Sequence, residues 1–189
     1  MENALIVSTS EQSVAFFTEM LNAAGFGAVT VLRTGAEARR LFPERDFDIV
    51  VIYAPLTDET GENLSRFVTS HETAQAILVV KGEYFDEISA AAEDDGILVV
   101  SSPVDRTVFW ATLKFAKSAQ NRLKKVWAEN TRLKKKIEDI RIVDRAKCLL
   151  ISYLNMNEKE AHRFIEKQAM DIRESKRSIA ELILSTYES

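Results

Sequence analysis

The sequence predicts a parallel α/β domain followed by an all-helical extension, and three observations carry that prediction. Five apolar runs recur at roughly even spacing: ALIV (4–7), AVTVL (28–32), DIVVIY (48–53), AILVV (76–80) and GILVVS (96–101). Helical patterns lie between them, and strands alternating with helices imply a parallel sheet covered on both faces. From Val108 to the end of the chain there is neither proline nor glycine, and the pattern becomes helical.

The elements follow in order. After the first run, SVAFFTEMLNAAG reads as a helix closed by Gly25, since a glycine accepts the backbone that ends a helix. GAEARRLF follows the second run, and EYFDEISAAAEDDG, closed by Gly96, precedes the fifth. Tyr53 ends the third run, the place where ligands and chemistry gather in α/β domains. Its ring is expected to pack at a pocket mouth with the hydroxyl toward water. Asp58 and Glu59, in the loop after it, read as solvated charges.

At 189 residues and 46% hydrophobic, the chain can bury one large core or a core plus a smaller module. No apolar run approaches the ~20 residues that cross a bilayer. The start MENALIVSTS lacks a basic n-region and a small-residue cleavage site, so a cytoplasmic protein without membrane contact is expected. Cys148 is the single cysteine, and His71 and His162 stand alone. Internal disulfide, metal and cofactor are therefore not expected. The net charge of −4 hides a division: residues 1–110 hold 7 Lys/Arg against 18 Asp/Glu, and residues 111–189 hold 18 against 11. Halves of −11 and +7 suggest an acidic domain joined to a module that meets a polyanion.

In the junction helix, Leu123, Val126, Asn130, Leu133, Ile137 and Ile140 are spaced 3, 4, 3, 4, 3. This is a heptad seam with Leu123, Asn130 and Ile137 at position a and Val126, Leu133 and Ile140 at position d, and Ala116 and Ala119 extend the register backward. A single asparagine at a favours a parallel two-stranded coil, in which Glu129 and Lys134 fall at g and the following e, so a homodimer is expected. The alternative is an amphipathic helix packed on its own domain.

Three helices are expected beyond it: a continuation of the coil to about Leu154, a second helix N-capped by Asn157 with Glu160 three residues on, and a third after Ser175. Ala161, Phe164, Ile165, Ala169 and Ile172 make one apolar face, and Ile179, Leu182 and Ile183 another. A small three-helix bundle would bury both.

Residues 1–118 resemble the response-regulator receiver domain, a flavodoxin-like fold. The resemblance implies an acidic pair after the first strand to hold Mg²⁺, an aspartate ending the third to accept phosphate, and a Thr/Ser and a Lys ending the fourth and fifth. Here those places hold Ser8 and Thr9, Tyr53, Lys81, and Ser102 before Pro103. With neither a carboxylate nucleophile nor metal ligands, phosphoryl transfer is not expected. A tyrosine, protonated at neutral pH, cannot form the labile acyl phosphate.

Residues 143–189 resemble the ANTAR family, the RNA-binding module of AmiR- and NasR-type antitermination regulators. The resemblance is carried by Asp144-Arg145-Ala146-Lys147, Glu160-Ala161, Ala169-Met170, Arg173 with Ser175, and Ile179-Ala180, with Cys148 where the family usually has glycine. It implies pseudo-receiver (1–118), coiled coil (119–142) and ANTAR module (143–189), binding paired hairpins of a nascent leader RNA as a dimer, without enzymatic activity. The residues expected at the RNA are Arg145, Lys147, Arg163, Lys167, Arg173, Ser175, Lys176 and Arg177, with Ala146, Ala161, Ala169 and Met170 as helix packing. A second reading is an interaction regulator whose receiver docks a sensor protein or a related regulator.

Overall fold

A computed structural model describes residues 2–71 and 74–187. The chain divides into two compact units, Met1–Trp127 and Ala128–Ser189. In the first, strands β1 (Asn3–Val7), β2 (Ala28–Leu32), β3 (Ile49–Tyr53), β4 (Gln75–Lys81) and β5 (Leu98–Ser102) form one parallel sheet of order β2-β1-β3-β4-β5. All five sequence runs are strands.

Helices α1 (Glu11–Ala23), α2 (Gly35–Leu41), α3 (Glu62–Ser70) and α4 (Phe85–Ala92) follow the first four strands, and α5 (Arg106–Leu154) follows the fifth. The pleat sends alternate residues to opposite faces. Val50, Ile52, Leu78 and Val80 meet α2, α3 and α4 in one core, through Ala38, Leu64, Val68 and Ala92. Ile49, Val51, Ile77 and Val79 meet α1 and the first turns of α5 in the other, through Phe17, Met20, Phe109 and Leu113. Continuous apolar strands are thus explained by burial on both sides.

Local sequence sets the helix ends. Ser10 caps α1 by accepting from the Ser13 N–H, and Thr34 with Glu37 forms a capping box on α2. No helix is expected from the sequence between the third and fourth runs, where α3, nine residues long, follows Gly61 without a side-chain cap. Gly61 has φ 95°, and a Cβ there would approach Ile52 and Leu78 at 3.1 and 3.3 Å, so the position needs glycine twice over.

The loop after β3 corrects one expectation. Asp58 accepts from the N–H groups of Gly35 and Ala36 (3.0 and 2.9 Å), and Glu59 pairs with Arg39. These carboxylates cap and clamp α2 rather than sit as solvated charges, and the hydrogen bonds from Gly35 and Ala36 hold the Asp58 carboxyl below its ordinary range.

A second correction concerns α5. Ala116 is fully buried in the sheet core, so it does not extend the heptad seam. One turn on, Gln120 donates to Asp48 at 2.8 Å, and Lys124 also pairs with Asp48, whose other oxygen accepts from the Asn3 N–H at 2.7 Å. The contacts of the receiver-like unit therefore continue past residue 118, to Lys124.

In the second unit, the end of α5 packs with α6 (Glu158–Ile172) and α7 (Lys176–Tyr187). Asn157 and Glu160 form the expected capping box on α6. The core holds Ala146, Leu150, Ala161, Ile165, Ala169, Ile179, Ala180 and Ile183. Ile172 and Leu182, expected in the apolar faces, are instead exposed. Among the described residues, no helix is long and apolar enough to cross a membrane.

Candidate nucleic-acid interface

The carboxyl ends of the strands gather the substituted pocket. Ser8 follows β1 and is buried, with Thr9 exposed beside it, while Tyr53, Lys81 and Ser102 end β3, β4 and β5. The Tyr53 hydroxyl lies 3.0 Å from the Ser102 hydroxyl, and its ring packs 6.1 Å from Phe17. The tyrosine therefore bridges β3 to β5 across the end of β4, where a hydroxyl turned to water was expected. Lys81 points its ammonium toward Glu83, 3.9 Å away on the surface. Among these five residues there is no carboxylate.

The expected RNA residues fall into two classes in the second unit. Three cations are engaged within the bundle. Lys147, on α5, has a side chain only 15% exposed and lies 2.7 Å from Asp144 and 3.6 Å from Glu158, so it ties α5 to the start of α6. The hydrogen bond that it donates to Asp144 raises its pKa. Arg177 reaches Asp139 on α5 and Glu181 on α7, both at 2.8 Å. Lys176 pairs with Glu166 on α6 at 2.5 Å, and that hydrogen bond lowers the Glu166 pKa, with His162 adding at 3.2 Å. Ser175 accepts from the Ser178 N–H at 3.0 Å and so caps α7.

The other class faces solvent. Arg163, Lys167 and Arg173 are exposed, and among the described residues their side chains form no ion pair or hydrogen bond. Arg145 is exposed on α5 but, unlike these three, is not without a partner; Cys148 is exposed as well. Arg173 ends α6 with φ 58°, a left-handed conformation that a glycine usually supplies. Ala146, Ala161 and Ala169 are buried as expected, but Met170 is 78% exposed and is not helix packing.

Residues 131–184, which span the end of α5 with α6 and α7, match the ANTAR domain family. The chain thus joins a receiver-like fold to a segment that matches the ANTAR domain family. Ahead of its ANTAR domain, the sheet is similar to the signal receiver domain of an HD domain-containing protein from Pseudomonas fluorescens, with TM-score 0.58 and 21% identity over 66% of this chain and 92% of that one. It is also similar to a CheY-like response regulator receiver domain from Methylobacillus flagellatus, with TM-score 0.53 and 21% identity over 61% of this chain and 98% of that one. Over 168 residues the chain is 24% identical to the transcriptional regulatory protein PdtaR of Mycobacterium tuberculosis, covering 89% of this chain and 82% of that protein.

Within the ANTAR domain, sequence reasoning missed the division between engaged and free cations, because the carboxylates that engage Lys147 and Arg177 come from other turns and helices. It also missed Lys159, which is exposed and without a partner among the described residues. A signal was present: Lys159, Arg163 and Lys167 recur every four residues, offset from buried Ala161, Ile165 and Ala169.

The seam residues of α5 are exposed in the single chain: Leu123 45%, Val126 60%, Leu133 47%, Ile137 53% and Ile140 59%. Asn130 is exposed with them. Apolar residues at heptad spacing thus lie exposed along one helix of the single chain.

Proposed function

We propose that this protein is a non-enzymatic transcription antitermination regulator of the cytoplasm. It binds paired hairpins of a nascent leader RNA as a parallel dimer, and aspartyl phosphorylation does not control its receiver. One observation carries the reading: the ANTAR match falls on a three-helix bundle with its own buried core, whose outer cations, Arg163, Lys167 and Arg173, have no partner among the described residues. Unstacked loop bases and phosphates are what exposed Arg and Lys on a helix can read. Two modules on one dimer would hold two hairpins at high effective concentration. Lys147, Lys176, Arg177 and Ser175 serve mainly to hold the bundle, and Arg163, Lys167 and Arg173 meet RNA.

The exposed heptad residues support the dimer, and the carboxylate-free Tyr53–Ser102 pocket supports independence from phosphate. The test compares a paired-hairpin RNA with a scrambled-loop RNA at near-physiological salt. The reading requires preference for the paired hairpins, with affinity falling steeply as salt rises. Equal affinity for both would reduce the basic half to nonspecific charge and favour a regulator whose receiver docks a sensor or related protein.

A further inference from the structure

We propose that the RNA-reading surface of the ANTAR domain is the outward stripe of α6. Met170 lies there as the side chain laid on an unstacked base, and Lys159, Arg163 and Lys167 hold the backbone around it. This rests on the RNA-binding reading above and adds which face, and which apolar side chain, does the reading.

Helix α6 buries Ala161, Ile165 and Ala169 against the bundle. At about 100° per residue, Lys159, Arg163, Lys167 and Met170 gather within roughly 80° on the opposite side. Met170 is 78% exposed, the greatest exposure of any large hydrophobic side chain among the described residues. A single exposed apolar residue is ordinary on a protein surface. Its surroundings set this one apart, because the three cations on its stripe have no partner among the described residues. Of the carboxylates beside the stripe, Glu166 holds Lys176 and His162, Glu158 lies by Lys147 and Glu160 closes the capping box, while exposed Asp171 at the other edge pairs with none of the three cations among the described residues.

The stripe thus presents three cations, unpaired among the described residues, around one flexible thioether. A partner protein would require an apolar centre fringed by polar groups. A stripe with three cations to one apolar side chain has the composition of a nucleic-acid interface. Methionine, unbranched and polarisable, conforms to irregular apolar surfaces, and the bases of a single-stranded loop are unstacked and open to it. The engaged cations Lys147, Lys176 and Arg177 would have to give up an ion pair before holding a phosphate, whereas the α6 cations would not.

The experiment uses the full chain and hairpin RNAs with randomised loops, from which the unmodified protein selects a loop. Affinities for the selected and a scrambled loop are then measured across a salt series. Met170→Ala is expected to weaken the selected loop by about tenfold and the scrambled loop by less than about twofold. Lys159→Gln, Arg163→Gln and Lys167→Gln are each expected to weaken both RNAs and to reduce the slope of log affinity against log salt by about 0.7, the loss of one single-strand phosphate contact. Arg45→Gln, on the receiver, should change neither. All four α6 side chains are exposed, so circular dichroism and melting temperature should match the unmodified protein and exclude misfolding. Met170→Ala binding both loops as the unmodified chain does, or an unchanged salt slope in all three cation variants, overturns the assignment of this face. Failure of the unmodified chain to select any loop overturns the RNA reading itself, which separates the two.

Discussion

At the residue scale, a few side chains do work that their neighbours in sequence do not foretell. Tyr53 spends its hydroxyl on Ser102, joining the ends of two strands. Tyr53→Phe should lower stability in urea denaturation by about 0.5–1.5 kcal/mol, the net value of one such hydrogen bond. Asp58 caps α2 through two backbone N–H groups, which depress its folded-state pKa. A depressed carboxyl contributes stability that is present above the unfolded value near 4 and lost as pH falls through the folded one. Asp58→Asn should therefore melt at a lower temperature than the unmodified chain at neutral pH, with the gap closing below about pH 4. Arg173 pays for its place with a left-handed backbone at φ 58°. Arg173→Gly should raise stability by about 0.5–1 kcal/mol while weakening RNA binding, a split that calorimetry and a binding assay on one sample would show.

At the element scale, α5 is two helices in function. Its first turns present Phe109, Leu113, Ala116 and Gln120 to the sheet, and from Leu123 onward its apolar a and d residues are uncovered. The seam from Leu123 to Ile140 is about 26 Å long, shorter than the three to four heptads of a self-sufficient coil, so dimerisation should depend on concentration. Leu133→Lys places like charges in the seam and should give monomers by sedimentation, whereas Asn130→Leu should raise stability and relax the choice of oligomer. Asp48 locks the helix onto the receiver-like unit through Gln120 and Lys124. Asp48→Ala leaves buried donors without an acceptor and should cost on the order of 1–3 kcal/mol in denaturation.

At the scale of the whole molecule, a receiver fold stands ahead of an ANTAR domain, and Ser8, Thr9, Tyr53, Lys81 and Ser102 hold the places at its strand ends. Incubation with a small phosphodonor and Mg²⁺ should leave the mass of the protein unchanged. Tyr53→Asp alone should leave it unchanged too, because Ser8 and Thr9 supply no carboxylate for a metal and Ser102 no ammonium for the phosphate.

The sequence by itself determined the strands, most of the helices and the place of the ANTAR-like helices after the sheet. Those features are written in contiguous residues, as apolar runs, capping pairs such as Asn157 with Glu160, and heptad spacing. Helix α3, whose start depends on a glycine with no capping side chain, was not expected, although Leu64, Phe67 and Val68 carry helical spacing. Only the tertiary structure decided which polar groups are spent. Asp58 became a helix cap, Ala116 a core residue, and Lys147 and Arg177 ties between helices, while Lys159, Arg163, Lys167 and Met170 were left facing solvent. The physical reason is that a helix or strand fixes the direction of a side chain, whereas the partner that neutralises or buries it comes from elements distant in the chain, and only packing brings the two together.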